Sequence, residues 1–457
     1  MTGPGSVVER DGRIWLPDNR WDLVAGRVGT APPRRVAVVV PYFEQPASLS
    51  RMYAALASLD PQQHQLVVAD DGSARAPAAP PPPGYPLQVT LVRQDDRGCR
   101  PGAARNLAVA ATDAEIIVCL DADTVPAVGT VERLAAWPSL IPDALVVGRR
   151  GHVDLTGWSP ADSVAWLAGR RPAPPARPDP AWLDDGYRQT HDLLDADDRS
   201  YRYVISAVMS CTRLLWDDLG GFDGSRCEYG GDDWEFAYRA FNNGAVLVHD
   251  PAAVAWHDEP DWSDRDGGSK DLETLWLAEV IPEPLTRGTG IRQAWPDTLV
   301  TLDVEGVPAG PVVATIGDVV AALPDVLVHA RGTLAPPAAA HLAHDPRVVT
   351  APPSCGQRRR ARRAIALHGP QRWTVDGLRR VVELASPTVA GVVRVVGADG
   401  AVLATVTSTR AAGRRRRAAT LDVTLPDGLC GTRTVAAPDV GAAPIDDVDL
   451  AAVFGRW

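Results

Sequence analysis

The sequence predicts an α/β protein whose principal domain is a mostly parallel sheet with crossover helices. Three observations carry this expectation. Short apolar, β-branched runs at residues 36–40, 65–69 and 115–120 have the length of buried strands. Segments of helical period lie between them. Polar clusters stand where each run ends: Tyr42 to Gln45, Asp70 to Ser73, and Asp121 to Asp123. In such sheets ligands bind beyond the carboxyl ends of the strands, so the clusters point to one pocket.

Each element has its own reason. Residues 35–41 read as a buried strand closed by Pro41. Residues 46–58 follow as a helix, with Leu49, Met52, Tyr53 and Leu56 on one face. Residues 65–69 form a second strand, ending in the turn residues Asp70-Asp71-Gly72-Ser73. The proline-rich residues 76–86 read as a surface loop. Residues 87–93 are a strand and 101–111 a helix, and 115–120 run straight into Asp121-Ala122-Asp123. Residues 1–34 read as a polar N-terminal arm.

The chain has 457 residues, 45% hydrophobic and 23% charged, enough for two or three domains with sizeable cores. No apolar run of membrane-spanning length exists and no signal core opens the chain, so a cytoplasmic location is the expectation. The six cysteines form no C-x-x-C pair, which supports neither a disulfide framework nor a cysteine zinc site. Lys270 is the sole lysine, and the Ala, Gly, Pro and Arg content fits a GC-rich bacterial genome. The net charge of −11 argues against nucleic-acid binding. It is unevenly spread: residues 179–273 are dense in carboxylates, whereas Arg358 to Arg360, Arg362, Arg363 and Arg414 to Arg417 make the last third basic. Those arginine runs read as solvated faces, or as surfaces that dock onto the acidic half.

The second half repeats the order of the first. Residues 301–306, 311–325 and 326–330 follow the pattern of 36–70; residues 347–350 echo 89–92; residues 354–367 echo 97–109; residues 373–396 match 130–147. The strand carrying the acidic pair has no counterpart in this matching. The expected organisation is therefore an arm (1–34), a catalytic domain (35–290) with an acceptor-side insertion (158–199), and a smaller α/β domain (291–457). The last reads as a degenerate copy without its acidic centre.

Asp121-x-Asp123 at the end of a buried strand places two carboxylates at the expected pocket. Hard cations such as Mn²⁺ or Mg²⁺ prefer such oxygen ligands. Asp70-Asp71-Gly72-Ser73 also suits a simple turn. Glycine pairs at 220–221 and 230–231 lead to a helix starting near Asp232, with Trp234, Ala237, Tyr238 and Phe241 at helical spacing. Asp232 and Asp233 suit that helix start through its dipole, and a carboxylate so positioned can also take a proton from a substrate.

Taken in order, Val-Val-Pro41-Tyr42-Phe, Asp70-Asp71-Gly72-Ser73, Gly102-Ala-Ala-Arg105-Asn106, Leu120-Asp121-Ala-Asp123 and Gly220-Gly221-Phe222-Asp223 resemble family 2 glycosyltransferases. Tyr229-Gly230-Gly231-Asp232-Asp233-Trp234-Glu235 also resembles the C-terminal segment of galactosyltransferase and N-acetylgalactosaminyltransferase catalytic domains. The resemblance spans residues 34–262. It implies a GT-A fold, a mixed sheet flanked by helices, and inverting transfer from a nucleotide diphosphate sugar, a UDP-sugar being the expected donor. On this resemblance Pro41, Tyr42, Glu44, Asp70, Asp71, Arg105 and Asp121 bind the nucleotide sugar. Asp123, Asp121 and His257 hold Mn²⁺ or Mg²⁺. Asp233 is the general base with Asp232 beside it, and Trp234 and Glu235 meet the acceptor. The family has Glu-Asp where this chain has Asp232-Asp233. Trp256 and Trp262 are further candidate aromatic platforms, and His249 reads as structural. A nucleotidyltransferase would need a glycine-rich phosphate loop after the first strand, which Pro41-Tyr42-Phe43-Glu44 is not. A catalytically silent sugar- or nucleotide-binding scaffold is the alternative. A small molecule, a glycan or a peptide are all compatible acceptors, and a homodimer through the C-terminal domain is compatible with the composition.

Overall fold

A computed structural model describes residues 7–75, 81–258, 267–288, 294–386 and 389–454. The chain divides into two compact units, one of residues Val7–Phe241 with Ala245–Leu277, the other chiefly Ala278–Trp457. The division falls at Ala278, before the expected boundary of 291.

The first unit opens with a hairpin, β1 (Val8–Arg10) and β2 (Arg13–Trp15). Its arm is not merely polar: Ile14, Leu16 and Val24 are buried in the main core, and Asn19 bonds the backbone of Leu193 and Leu247. The sheet then uses β3 (Val36–Tyr42), β4 (His64–Asp70), β5 (Gln88–Arg93), β6 (Ile116–Leu120), β7 (Thr124–Pro126), β8 (Ala144–His152), β9 (Val208–Thr212) and β10 (Val246–His257). Its order is β5-β4-β3-β6-β9-β8-β10-β7. β5, β4, β3 and β6 are parallel, β9 is antiparallel to both β6 and β8, and β8 and β10 are parallel. Runs such as Val36–Val40 and Ile116–Leu120 are continuously apolar because helices cover both faces. Those helices include α1 (Pro46–Leu56), α2 (Pro101–Ala110) and α3 (Thr130–Leu140).

The insertion is ordered. It folds as α4 (Pro160–Leu167), with a Ser159–Asp162 capping box, and α5 (Ala181–Gln189). It is followed by α6 (Arg213–Leu219), α7 (Asp232–Asn242) and α8 (Gly267–Val280).

The second unit holds β11 (Thr298–Asp303), β12 (Val326–Arg331), β13 (Val348–Val349), β14 (Arg363–Leu367), β15 (Gln371–Trp373), β16 (Val392–Val396), β17 (Val402–Ser408) and β18 (Thr432–Ala436). Its sheet order is β13-β12-β11-β14-β17-β16-β18. Strand for strand this is the order β5-β4-β3-β6-β9-β8-β10, with the same parallel and antiparallel pairings. The counterpart of the metal-motif strand is present, contrary to the sequence matching. It is β14, and its end reads Leu367-His368-Gly369-Pro370 where β6 ends Leu120-Asp121-Ala122-Asp123. What the second unit lacks is the pair of carboxylates.

The arginine runs are solvated only in part, with Arg358 and Arg416 exposed. Arg360, Arg363, Arg414 and Arg417 are buried. Arg362 pairs with Asp297 at 2.5 and 3.0 Å, and Arg360 lies 4.2 Å over the Trp295 ring. Among the described residues no helix is long and apolar enough to cross a membrane.

Candidate active site

The carboxyl ends of β3, β4 and β6 open onto a cavity of about 660 Å³. Its walls bring together Pro41, Tyr42, Asp71, Arg105, Asp121, Asp123, Asp232, Asp233, Trp234 and His257, which are separated by up to 216 positions (257 less 41) in the chain.

Arg105, on α2, is the electrostatic centre. It is 2% exposed, donates to Asp121 at 2.5 Å and to Asp232 at 3.3 Å, and sits 5.2 Å over the Phe222 ring. Burial alone would lower its pKa, but Asp121 and Asp232 more than offset this and hold the guanidinium charged. Asn106, next on α2, bonds both the N–H and the carbonyl of Phe222, tying the Gly220-Gly221 loop to this helix. Gly221 has φ +72, and a Cβ there would lie 2.3 Å from Asn106 Oδ1, so this close approach demands glycine.

Asp123 and His257 form the second centre. Antiparallel pairing of β7 with β10 sets Thr124 opposite His257, and the His257 Nε2 lies 3.3 Å from Asp123 Oδ1. That oxygen is buried and accepts no hydrogen bond among the described residues. Burial first, then the charge of Asp121, raises the Asp123 carboxyl pKa well above the usual range. A buried, unsatisfied carboxylate oxygen beside an imidazole is a donor set that fits a divalent cation. Asp121 is turned to Arg105, and among the described residues no three such side chains converge on one position.

Asp232 and Asp233 occupy the first turn of α7, where the helix dipole favours anions. Burial raises both, opposed at Asp232 by Arg105 and reinforced at Asp233 by the charge of Asp232. The positive-φ residues Gly230 and Gly231 deliver the chain to this point.

Four residues are placed otherwise than expected. Asp70 lies beneath the cavity floor, 1% exposed, accepting from the Ser73 N–H and from Arg93 at 2.9 Å each. Glu44, at φ +48, turns away and accepts from the Ala74 N–H at 2.9 Å, fixing the loop after β4. Glu235 is fully buried and pairs with Arg239 through two 2.6 Å hydrogen bonds, so no acceptor reaches it. Trp256 packs on Trp166 instead of facing the cavity, and Trp262 lies outside the described residues. His249 stacks on Tyr187 at 3.5 Å and pairs with Asp192, a structural arrangement.

The wall residues to which sequence reasoning gave no role include Arg150 near the end of β8, Trp182 on α5, Tyr229, and Glu273 on α8. Trp182 stood in the insertion already singled out, and its exposure to the cavity is what the sequence lacked. Glu273 sits beyond the last matched motif and had no local signal.

The chain is similar in part to known glycosyltransferases. Residues 37–175 match the model of the family Glycosyl transferase family 2. The hyaluronan synthase of Pasteurella multocida is 25% identical over 280 residues, covering 56% of this chain and 28% of the relative. The pre-mycofactocin glycosyltransferase of Mycobacterium tuberculosis is 28% identical over 273 residues, covering 57% of this chain and 52% of the relative. The chain thus spans about half or less of these relatives. A solved mannosyltransferase from Pyrobaculum calidifontis, in complex with GDP-Man and Mn²⁺, aligns with a TM-score of 0.37 at 17% identity, over 61% of this chain and 64% of that one.

Proposed function

We propose, from the match of residues 37–175 to the family 2 glycosyltransferase model, that the chain is an inverting, metal-dependent transferase that moves a sugar from a UDP-sugar to an acceptor hydroxyl. The observation that carries this is the placement of Asp233, half-buried at the start of α7, in the same cavity as Asp121, Asp123 and His257.

Tyr42, Pro41 and Asp71 line the end of the cavity assigned to the nucleoside. Asp71 is held for this by Gln94 at 2.6 Å and by the Arg100 N–H at 2.7 Å. Arg105 orients both Asp121 and Asp232. Asp123 and His257, with Asp121 nearby, would hold Mn²⁺ or Mg²⁺, which supplies charge neutralisation for the departing diphosphate. Asp233 accepts the proton of the acceptor hydroxyl as that oxygen bonds to the anomeric carbon. The bond from this carbon to the diphosphate oxygen breaks on the opposite face, and the nucleotide leaves with the electron pair. A carboxylate whose pKa is raised toward working pH is well matched to that proton transfer.

Asp233→Asn tests the assignment. UDP affinity, read by calorimetry, should stay within about twofold, while sugar transfer falls by roughly 10²–10⁴. Transfer retained at the wild-type rate would remove Asp233 from the role.

A further inference from the structure

Glu273 and Trp182 lie on the cavity wall beyond Asp233, and neither is used by the chemistry above. Glu273 is 9% exposed and packs against the backbone of the loop that delivers the base. A Cβ on Gly230 would meet its carboxyl carbon at 3.0 Å, and one on Gly231 its Cγ at 3.2 Å. The two glycines, at φ +96 and +82, therefore make room for this side chain. Among the described residues its carboxylate accepts no hydrogen bond. Arg226 and Lys270 attract it at longer range, and Asp232 repels it. Glu273 lines the cavity, so its carboxylate oxygens can accept a hydrogen bond from a hydroxyl of the occupant.

Trp182 is 41% exposed although it lines the same cavity. Its ring is braced edge-on by Trp234 at 6.1 Å and by an offset stack with Tyr203 at 6.5 Å. A rigid aromatic face held open inside a cavity suits a partner with one apolar face and polar edges. A pyranose ring has that character, its axial C–H bonds forming the apolar face and its hydroxyls the edges.

We propose that the acceptor is an uncharged sugar ring, lying against Trp182 with one hydroxyl on Asp233 and a second donated to Glu273. This rests on the transferase reading above and names its acceptor class. The electrostatics select within that class. Asp232, Asp233 and Glu273 surround this end of the cavity, so a uronic acid or a phosphorylated sugar would bring like charge against three carboxylates.

The test uses the full chain with Mn²⁺, a panel of UDP-sugars, and three acceptor sets: neutral methyl glycosides, the matching methyl uronosides, and a serine- and threonine-containing peptide. Neutral glycosides are expected to be glycosylated at least about tenfold faster, by kcat/KM, than uronosides or the peptide. In Glu273→Ala and Trp182→Ala the acceptor KM should rise roughly tenfold, with the UDP Kd unchanged as the check on folding. Glu273→Gln and Trp182→Phe should recover most of the loss. Transfer to the peptide or the uronoside in preference to neutral glycosides would overturn this proposal and leave the transferase reading standing. So would an acceptor KM within about threefold of wild type in both alanine variants. Failure to release UDP from any donor in the panel with any of the acceptors would instead sink the transferase reading itself.

Discussion

At the scale of single residues, Asp233 sets both the rate and a cost in stability. Its carboxyl is pushed up to about 7 by burial and by the neighbouring charge of Asp232. Only the ionised form accepts a proton, so kcat/KM should rise with pH and level off above about 7. Stability runs the other way. A folded-state pKa above the unfolded value means that the native form holds its proton more tightly, so this contribution is lost as pH rises from about 4 through about 7. Asp233→Asn, inactive in transfer, should therefore be more stable than wild type at about pH 8 by at least about 1 kcal/mol, and the gain should shrink toward about pH 5. Urea melts at the two pH values measure it; an equal or negative gain at the higher pH would contradict the burial argument. Legibility also divides residue by residue. Asp121, Asp123 and Asp233 stood at the ends or beginnings of elements, where period and position define the direction of a side chain. Glu44, Asp70 and Glu235 stood beside them in the same motifs, and only the packing shows that they face the protein. For Glu235 a signal existed: Arg239 follows four residues later, the spacing of a helical ion pair.

At the scale of elements, α7 is positioned from its underside. Arg239 joins Glu235 to the carbonyls of Leu219 and Gly221, all buried, so one side chain ties α7 to the end of α6 and to the glycine loop. Arg239→Ala would take from Glu235 its buried ion-pair partner, at a cost of about 3–5 kcal/mol in denaturant unfolding. Transfer should fall as well, because Asp232 and Asp233 ride on the same helix; a stable, fully active variant would show that the helix is held by other contacts. The strand runs of the first sheet were legible because continuous apolar stretches bounded by prolines and acidic turns have few other readings. The segment Arg363–Leu367 was not. Its Arg-Ala-Ile-Ala-Leu run lay inside residues 354–367, which the sequence matched to 97–109, a stretch that holds α2 and no strand. The insertion was legible in extent, and its α4 and α5 give Trp182 a rigid mount.

At the scale of the whole molecule, two sheets share one strand order and differ in what stands at the end of the central strand. The first ends in Asp121-Ala122-Asp123 and the second in His368-Gly369-Pro370. This supports reading the second unit as a copy that has shed its carboxylates, and it carries a stoichiometry. Calorimetric titration with UDP and Mn²⁺ should saturate at one nucleotide per chain, and Asp123→Asn should weaken that single site. A second, independent nucleotide site that survives Asp123→Asn would contradict the division of roles. The most direct test of the central claim is the stereochemistry of the product. If Asp233 activates an acceptor that attacks opposite the departing diphosphate, an α-linked UDP-sugar gives a β-linked product, read from the anomeric proton coupling in its NMR spectrum. A product that keeps the α linkage would contradict single-displacement transfer with Asp233 as base.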